Sequence, residues 1–362
     1  MSKLNFFHNG YFNREDKCIH HSYENFKKEE IGMRKLFSIL AILTIILLAA
    51  CQLNEDDEEL TKVILAGGEW DSILFHNGIA ERIIEEGYGY DVEIISGSTA
   101  AILQGVRQGD IDLIVEMWTD TMKEVYEEGT EAGDLVTVGT NFDSISNGFH
   151  VPAYVIEGDP ERGIEPLAPD LKRVEDLKDY PELFPDPEDP NKGIFYNGPS
   201  SWAVKEIMDD KFEAYGLGDM YNNFSAGSQG ALNAVLADAF NKGEPWLGYA
   251  WAPTTTTALY DLIMLEEDPY DEEIYNETRK TERPPQEVLI VANSDFADKA
   301  PDLIDFFSKY ETSEELTEEG LKYMLDNDIS AEETAEWWLV EYEELWTEWV
   351  PEEIANKVKD SL

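Results

Sequence analysis

Hydrophobic and polar positions along this chain follow two periods in turn. Short apolar runs bounded by glycine or charge predict strands at Lys62–Leu65, Asp91–Ile95 and Ile111–Val115, the last apolar apart from Asp112. Amphipathic stretches at Ile73–Glu86 and Ser98–Gly109 lie between them, the second opened by Ser98 and Thr99 as cap residues. Strands separated by helices predict a parallel, doubly wound α/β sheet. A strand-like run at 147–156 is interrupted by Pro152, and a Pro/Asp-rich surface segment follows at 185–192. Another βα unit runs from Gly193–Tyr196 into a helix near Ser200. A helix is predicted over 229–242, strands over 246–251 and 284–292, and helices from there to the C-terminus. Two long strands bracket a central α/β block, so two lobes joined by two crossovers are expected. The first lobe would take residues 62–150 and 288–362, the latter with the C-terminal helices; the second lobe would take 151–287. Ligands of such sheets bind beyond the carboxyl ends of strands, here between the lobes.

A different pattern precedes these elements. Met33–Cys51 reads as a short basic start (Arg34, Lys35), an apolar run from Leu36, and Leu48-Ala49-Ala50-Cys51. A basic flank, a run of this length and small residues at its end make a secretion signal, short for a membrane span. The last four residues resemble the bacterial lipobox, in which the cysteine takes a diacylglyceryl group before cleavage. An uncleaved anchor helix with an incidental cysteine is the alternative, and both put the rest outside the cytoplasm. Residues 33–50 are thus expected to be a lipoprotein signal peptide, Cys51 the lipidation site, and 51–61 an acidic tether. Residues 1–32 look unlike a signal. Lys27-Lys28-Glu29-Glu30 is what an in-frame ribosome-binding site would encode, so Met33 is the expected start and 1–32 an upstream extension.

Charge narrows the range of partners. The chain of 362 residues has a formal net charge of -50, and the acidic excess falls almost wholly after Cys51. Aromatic residues reach 12%, too many for a disordered acidic chain, so a folded protein with an acidic surface is expected. Such a surface excludes nucleic acid and an anionic membrane face as partners. It suits concentrated salt, where a Debye length of about 3 Å screens the self-repulsion. A salt-loving source follows.

Catalytic chemistry has little to build on. The only cysteines are Cys18 and Cys51, so a disulfide is not expected after processing. His76 and His150 are too few and too far apart to suggest a zinc site, and neither a G-x-S-x-G elbow nor a P-loop occurs. No cofactor or metal is expected. An anchored hydrolase, the other class considered, would need a nucleophile with a base or a metal cluster.

The tryptophans carry more information. Trp337, Trp338, Trp346 and Trp349 have the spacing of the apolar face of two helices and read as core. Trp70, Trp118, Trp202 and Trp251 each fall where a strand gives way to a loop or a loop to a helix, which in a doubly wound fold converge on the cleft. Rings around a cleft suit a quaternary ammonium, which has no N–H to satisfy and is attracted by ring quadrupoles at about 0.5–2 kcal/mol per contact. A sugar would also stack on tryptophan, though sugar sites add more hydrogen-bonding side chains. The helix-opening loops with Asp71 and Ser72, and with Ser200 and Ser201, could hold a carboxylate through free N–H groups. A cation cage beside such a terminus would match a zwitterion such as glycine betaine.

Several stretches together resemble the substrate-binding proteins of ABC importers for glycine betaine and related quaternary ammonium compounds. They are Gly109-Asp110-Ile111-Asp112 running to Glu116-Met117-Trp118, the Trp251-Ala252-Pro253 turn, Val288–Asn293 with Phe296 and Ala300-Pro301, and the Trp337-Trp338 region with Trp349. The resemblance covers roughly residues 62–350. It implies a type II periplasmic-binding fold with a closing cleft, a small zwitterionic or quaternary ammonium ligand, and a membrane permease with its ATPase as partner. It also implies a cage carried over onto Trp118 and Trp251, with Trp70 and Trp202 less directly. One departure is Thr254–Thr257, where family members often place a histidine or bulky aromatic. Betaine, choline and carnitine therefore stay open, as does another small solute such as proline, an amino acid or a sugar.

Overall fold

In the computed structural model the described residues are 60–144 and 147–362. The signal segment, its start at Met33 and Cys51 lie outside them. Ten strands are placed: β1 (Lys62–Gly67), β2 (Asp91–Ser96), β3 (Leu113–Trp118), β4 (Leu135–Ser144), β5 (Asn147–Pro152), β6 (Gly193–Asn197), β7 (Tyr221–Ser225), β8 (Gly248–Trp251), β9 (Leu262–Met264) and β10 (Gln286–Asn293).

They form two five-stranded sheets, ordered β2-β1-β3-β10-β4 and β7-β6-β8-β5-β9. In the first, β10 is antiparallel to both neighbours while β1, β2 and β3 are parallel. In the second, β5 is the reversed strand and β6, β7 and β8 are parallel. Four strands of each sheet thus run one way, the mostly parallel, two-lobed arrangement that the alternation predicts. The reversed strand is in each case the one that follows a crossover between sheets. The chain enters the second sheet at Asn147 and re-enters the first at Gln286, a few residues before the expected changes at 151 and 288.

Local chemistry explains most element ends. The helix Thr99–Gln108 begins where Ser98 accepts a hydrogen bond from the Ala101 N–H and ends at Gly109, whose φ of 76° is the left-handed conformation that glycine adopts without strain. Ser228 caps the helix Gln229–Lys242 by accepting from the Ala231 N–H.

Some elements differ from the sequence pattern. The strand expected over 147–156 stops at Pro152, and Ala153–Ile156 is one helical turn. Pro152 has no N–H to continue the ladder. The helix expected near Ser200 starts at Val204, after a turn that holds Trp202. Strands β4 and β7 carried no clear apolar run, because polar residues interrupt their apolar ones, and β9, though apolar, is only Leu262–Met264.

The C-terminal helices close the first lobe. Helix Ala331–Glu341 packs on helix Asp71–Arg82. Trp338 and Trp346 are fully buried there, Trp338 stacks on Trp349 at 6.0 Å, and Trp349 lies 4.5 Å from the Tyr310 ring. Trp337 is half-buried and stacks on Tyr323 at 3.8 Å. These four rings are packing residues, as their spacing predicts. Among the described residues no helix is long and apolar enough to cross a membrane, and no group of three or more His, Cys, Asp or Glu could hold a metal ion.

Candidate ligand-binding cleft

The carboxyl end of β3 brings a carboxylate into an apolar place. Glu116 is fully buried, and its Oε1 accepts three hydrogen bonds: from Trp70 Nε1 at 2.8 Å, Ser72 Oγ at 2.9 Å and Trp118 Nε1 at 2.9 Å. One acid therefore orients two indoles by their N–H groups. Burial pushes the Glu116 carboxyl up to about 8, against the three hydrogen bonds that favour its ionised form. It is therefore mainly protonated at neutral pH. Its Oε2 is buried and has no hydrogen-bond partner among the described residues. Trp70 reaches this place because Gly68 leaves room: a Cβ there would lie 2.4 Å from the indole.

The opposite wall comes from the second lobe. Trp251 ends β8, and Trp202 meets it edge-on with ring centres 4.7 Å apart and planes at 87°. Tyr249, two residues earlier on the same face of β8, stacks on Trp251 at 5.5 Å. Trp70, Trp118, Trp202 and Trp251 all line one cleft of about 470 Å³, counting the part open to solvent. The structure thus brings together the four tryptophans singled out by their positions at element ends.

Further polar groups line this cleft. Arg283, in the second crossover, is buried and pairs with Asp120 just after β3; Nε and Nη2 both donate to Asp120 Oδ2, at 3.0 and 2.5 Å. The Asp120 carboxylate, with Tyr249 and Tyr275 nearby, holds the guanidinium charged despite burial. Trp202 Nε1 is buried with no hydrogen-bond partner among the described residues, and the Tyr249 side chain lies against Arg283 and Asn147. Glu116, Tyr249, Asn147 and Arg283 were not singled out as ligand groups from sequence. The signal for Glu116 was present: an acid inside an apolar strand, flanked by Met117 and Trp118.

The four residues expected at a carboxylate-binding helix terminus are elsewhere. None of Asp71, Ser72, Ser200 and Ser201 lines the cleft. Asp71 instead joins the lobes: its N–H donates to Gln229 Oε1 at 2.8 Å, and its Oδ2 accepts from the Thr255 N–H at 2.9 Å. Its Oδ1 accepts from the Ser72 N–H, so this terminus is already occupied by its own side chain. Ser72 is committed to Glu116. Ser200 is exposed, and the Ser201 carbonyl accepts from the Thr99 N–H at 3.2 Å, a second tie between lobes. The threonine run has a local role, since Thr254 and Thr257 cap each other at the start of helix Thr255–Leu259 and present the Thr255 N–H to Asp71.

Two lobes with a reversed strand in each, closed on an aromatic cleft at the strand ends, define a two-lobed solute-binding protein. Comparison with known proteins gives the family. Residues 61–341 match the family described as the substrate binding domain of ABC-type glycine betaine transport systems, and the chain belongs to it. It is 24% identical over 319 residues to a trimethylamine N-oxide-binding protein of Pelagibacter ubique, covering 87% of this chain and 99% of that one. The fold is shared with a glycine betaine/L-proline-binding protein of Borrelia burgdorferi (TM-score 0.64, 19% identity, 82% and 99% of the two chains). It is shared also with lactococcal OpuAC in its closed conformation complexed with glycine betaine (TM-score 0.63, 19% identity, 80% and 100%).

Proposed function

We propose that this protein captures a betaine-type solute, a small molecule with a quaternary or fully substituted ammonium, in the tryptophan cleft and delivers it to a membrane permease driven by an ATPase. The observation that carries this reading is the convergence of Trp70, Trp118, Trp202 and Trp251 on one cleft between the lobes. Ring faces attract a methylated ammonium and accept its methyl groups, at about 0.5–2 kcal/mol per contact and more when dry. The relatives support the ligand class, since they include binders of glycine betaine and of trimethylamine N-oxide. Betaines balance osmotic stress, which suits a protein with a net charge of -50. Attachment to the outer face of the membrane through lipid on Cys51 completes the proposal. Calorimetric titration with glycine betaine, trimethylamine N-oxide, choline, carnitine, proline and a set of sugars tests it. Binding confined to the methylated ammonium ligands is expected; heat only with proline or sugars would overturn it. For the anchor, Cys51→Ala should release the protein from the detergent phase, and unchanged partitioning would refute lipidation.

A further inference from the structure

Outside the cleft, the second lobe buries a lysine that the aromatic cage does not explain. Lys211, on the helix Val204–Ala214, is fully buried. Its Nζ donates to Glu267 Oε1 at 2.6 Å, to the Arg279 carbonyl at 3.3 Å and to the Thr281 carbonyl. An ammonium has three N–H groups, so all are used. One bond goes to a carboxylate of the same lobe and balances the charge. The other two go to main-chain carbonyls of the strip that leaves this lobe for β10.

That strip is held at each of its residues in turn. Arg279 has a φ of 59°, a left-handed conformation that few non-glycine residues adopt, and its carbonyl is one of the two that Lys211 takes. The Lys280 ammonium lies 5.5 Å over the centre of the Tyr215 ring. Thr281 gives its carbonyl to Lys211, and the Glu282 N–H donates to the Asp268 carbonyl at 2.8 Å. Arg283 bonds to Tyr249 and Tyr275 of the same lobe as well as to Asp120 of the other. The first lobe begins again at Gln286, which pairs with Ser144 of β4. Only Pro284 and Pro285 lie between the two anchored stretches. Neither has an N–H to bond to a lobe, and each ring fixes φ, which leaves ψ as the rotation available. Both border a hollow of about 780 Å³, counting the part open to solvent, so they have room to turn.

We propose that Lys211 is a positioning residue: by holding the carbonyls of Arg279 and Thr281 it makes residues 279–283 part of the second lobe and confines lobe movement on this crossover to Pro284 and Pro285. This rests on the functional reading above, in which a solute is captured between two lobes, and adds what guides them. A strip left loose has more conformations to lose when the lobes meet over a solute, so the complex would open sooner. A buried ion pair that merely supports the second lobe would change its stability and leave the strip and the binding rates alone.

The test uses the full chain with glycine betaine and reads amide hydrogen exchange together with binding rates. The main variant, Lys211→Met/Glu267→Gln, removes both charges, so none is left buried alone, and it withdraws the donor from both carbonyls. Exchange at the Arg279 and Glu282 N–H groups should rise about tenfold or more beyond any change in β6 and β8. Glycine betaine should dissociate about fivefold faster, with the association rate within about twofold of the parent's. Glu267→Gln alone keeps an acceptor for Lys211 and both carbonyl bonds. It should leave those two N–H groups in step with β6 and β8 and the dissociation rate within about twofold. A double variant with unchanged exchange and dissociation, or a Glu267→Gln variant that matches it in both, would overturn the proposal. Should the double variant not fold, the parent decides: its Arg279 and Glu282 N–H groups should exchange within about tenfold of those in β6, and faster exchange would refute the clamp. A parent that binds no methylated ammonium overturns the function instead, while the exchange result still judges the clamp.

Discussion

Four tryptophans line the cleft and three fully packed ones lie in the C-terminal region, and burial hardly separates the two groups. Trp70, Trp118, Trp202 and Trp251 are 5–8% exposed, and Trp338, Trp346 and Trp349 are 0–3% exposed. The difference lies in what each ring faces. Trp338 packs against Trp349, Tyr342 and Phe75, and Trp349 also against the Tyr310 ring, so their faces are filled by the protein. The cleft rings are held from behind, by Glu116 or by a neighbouring aromatic, and have one side left on open space. On the proposed function, a ring of the first kind serves folding and one of the second kind serves binding, although both look buried. Affinity and stability should therefore respond in opposite ways to the same substitution at the two places.

The largest effect is expected in the C-terminal group. Trp338→Ala removes a fully buried ring and should cost about 3–5 kcal/mol of stability, read as a lowered melting temperature. A small loss there would erase the contrast. Next comes the acid that holds two of the cleft rings. Glu116→Gln can still accept from Trp70, Ser72 and Trp118 but does not ionise. In the parent the folded state holds this proton up to about pH 8, against an ordinary value of 4.5 in the unfolded chain. Its stabilising contribution is thus full below about pH 4.5 and is lost as pH rises through 8. The glutamine variant should gain on the parent across that window by a few kcal/mol, measured as the difference between their melting curves. His76 and His150, held by burial down to about 3 and 4, favour folding above pH 6.5 and lose that contribution as pH falls, but they do so in both proteins and cancel. A gap that does not vary with pH would mean that Glu116 is ionised throughout.

Within the cleft, Trp118→Ala or Trp251→Ala should weaken binding by about 2 kcal/mol, roughly thirtyfold, with little change in the melting temperature of the unliganded protein. Phenylalanine in their place should restore most of the affinity. A folded alanine variant that binds like the parent would remove that residue from the cage. The smallest effect should come from Asp71→Ala, which lies outside the cleft lining and removes the tie from its carboxylate to the Thr255 N–H while keeping the backbone bond to Gln229. Losing this bond should raise the dissociation rate about fivefold, a little under 1 kcal/mol, with the association rate nearly unchanged.

The sequence was most legible where one residue type did one thing. The two-lobed α/β architecture followed from apolar strands β1, β3 and β10, which are buried and read as continuous runs. Strands β4 and β7 did not show, because polar residues interrupt their apolar ones and no period stands out, and β9 is too short to stand out. The cleft tryptophans were legible because strand ends in this fold point at one place. Asp71, Ser72, Ser200 and Ser201 misled because a helix start announces free N–H groups without revealing whether something nearby uses them. At Ser72 it is the Asp71 carboxylate of the same terminus that does so. Arg283 was illegible for the opposite reason: it lies in a crossover without a regular period, and only the tertiary fold carries it to Asp120, far away in sequence.

The placement of β10 also governs when the first lobe can exist. Among the described residues edge strand β4 has β10 as its only neighbour, and β3 relies on β10 for its antiparallel pairing. Yet β10 emerges only after the whole second lobe. A growing chain therefore holds β1 to β4 for well over a hundred residues without the strand that completes their sheet, and the long loop closure makes the final pairing slow. A fragment ending before Gln286 should leave the first lobe unfolded and sensitive to protease even where the second lobe is compact. If so, the cleft, which needs both sheets, is the last part of the molecule to form.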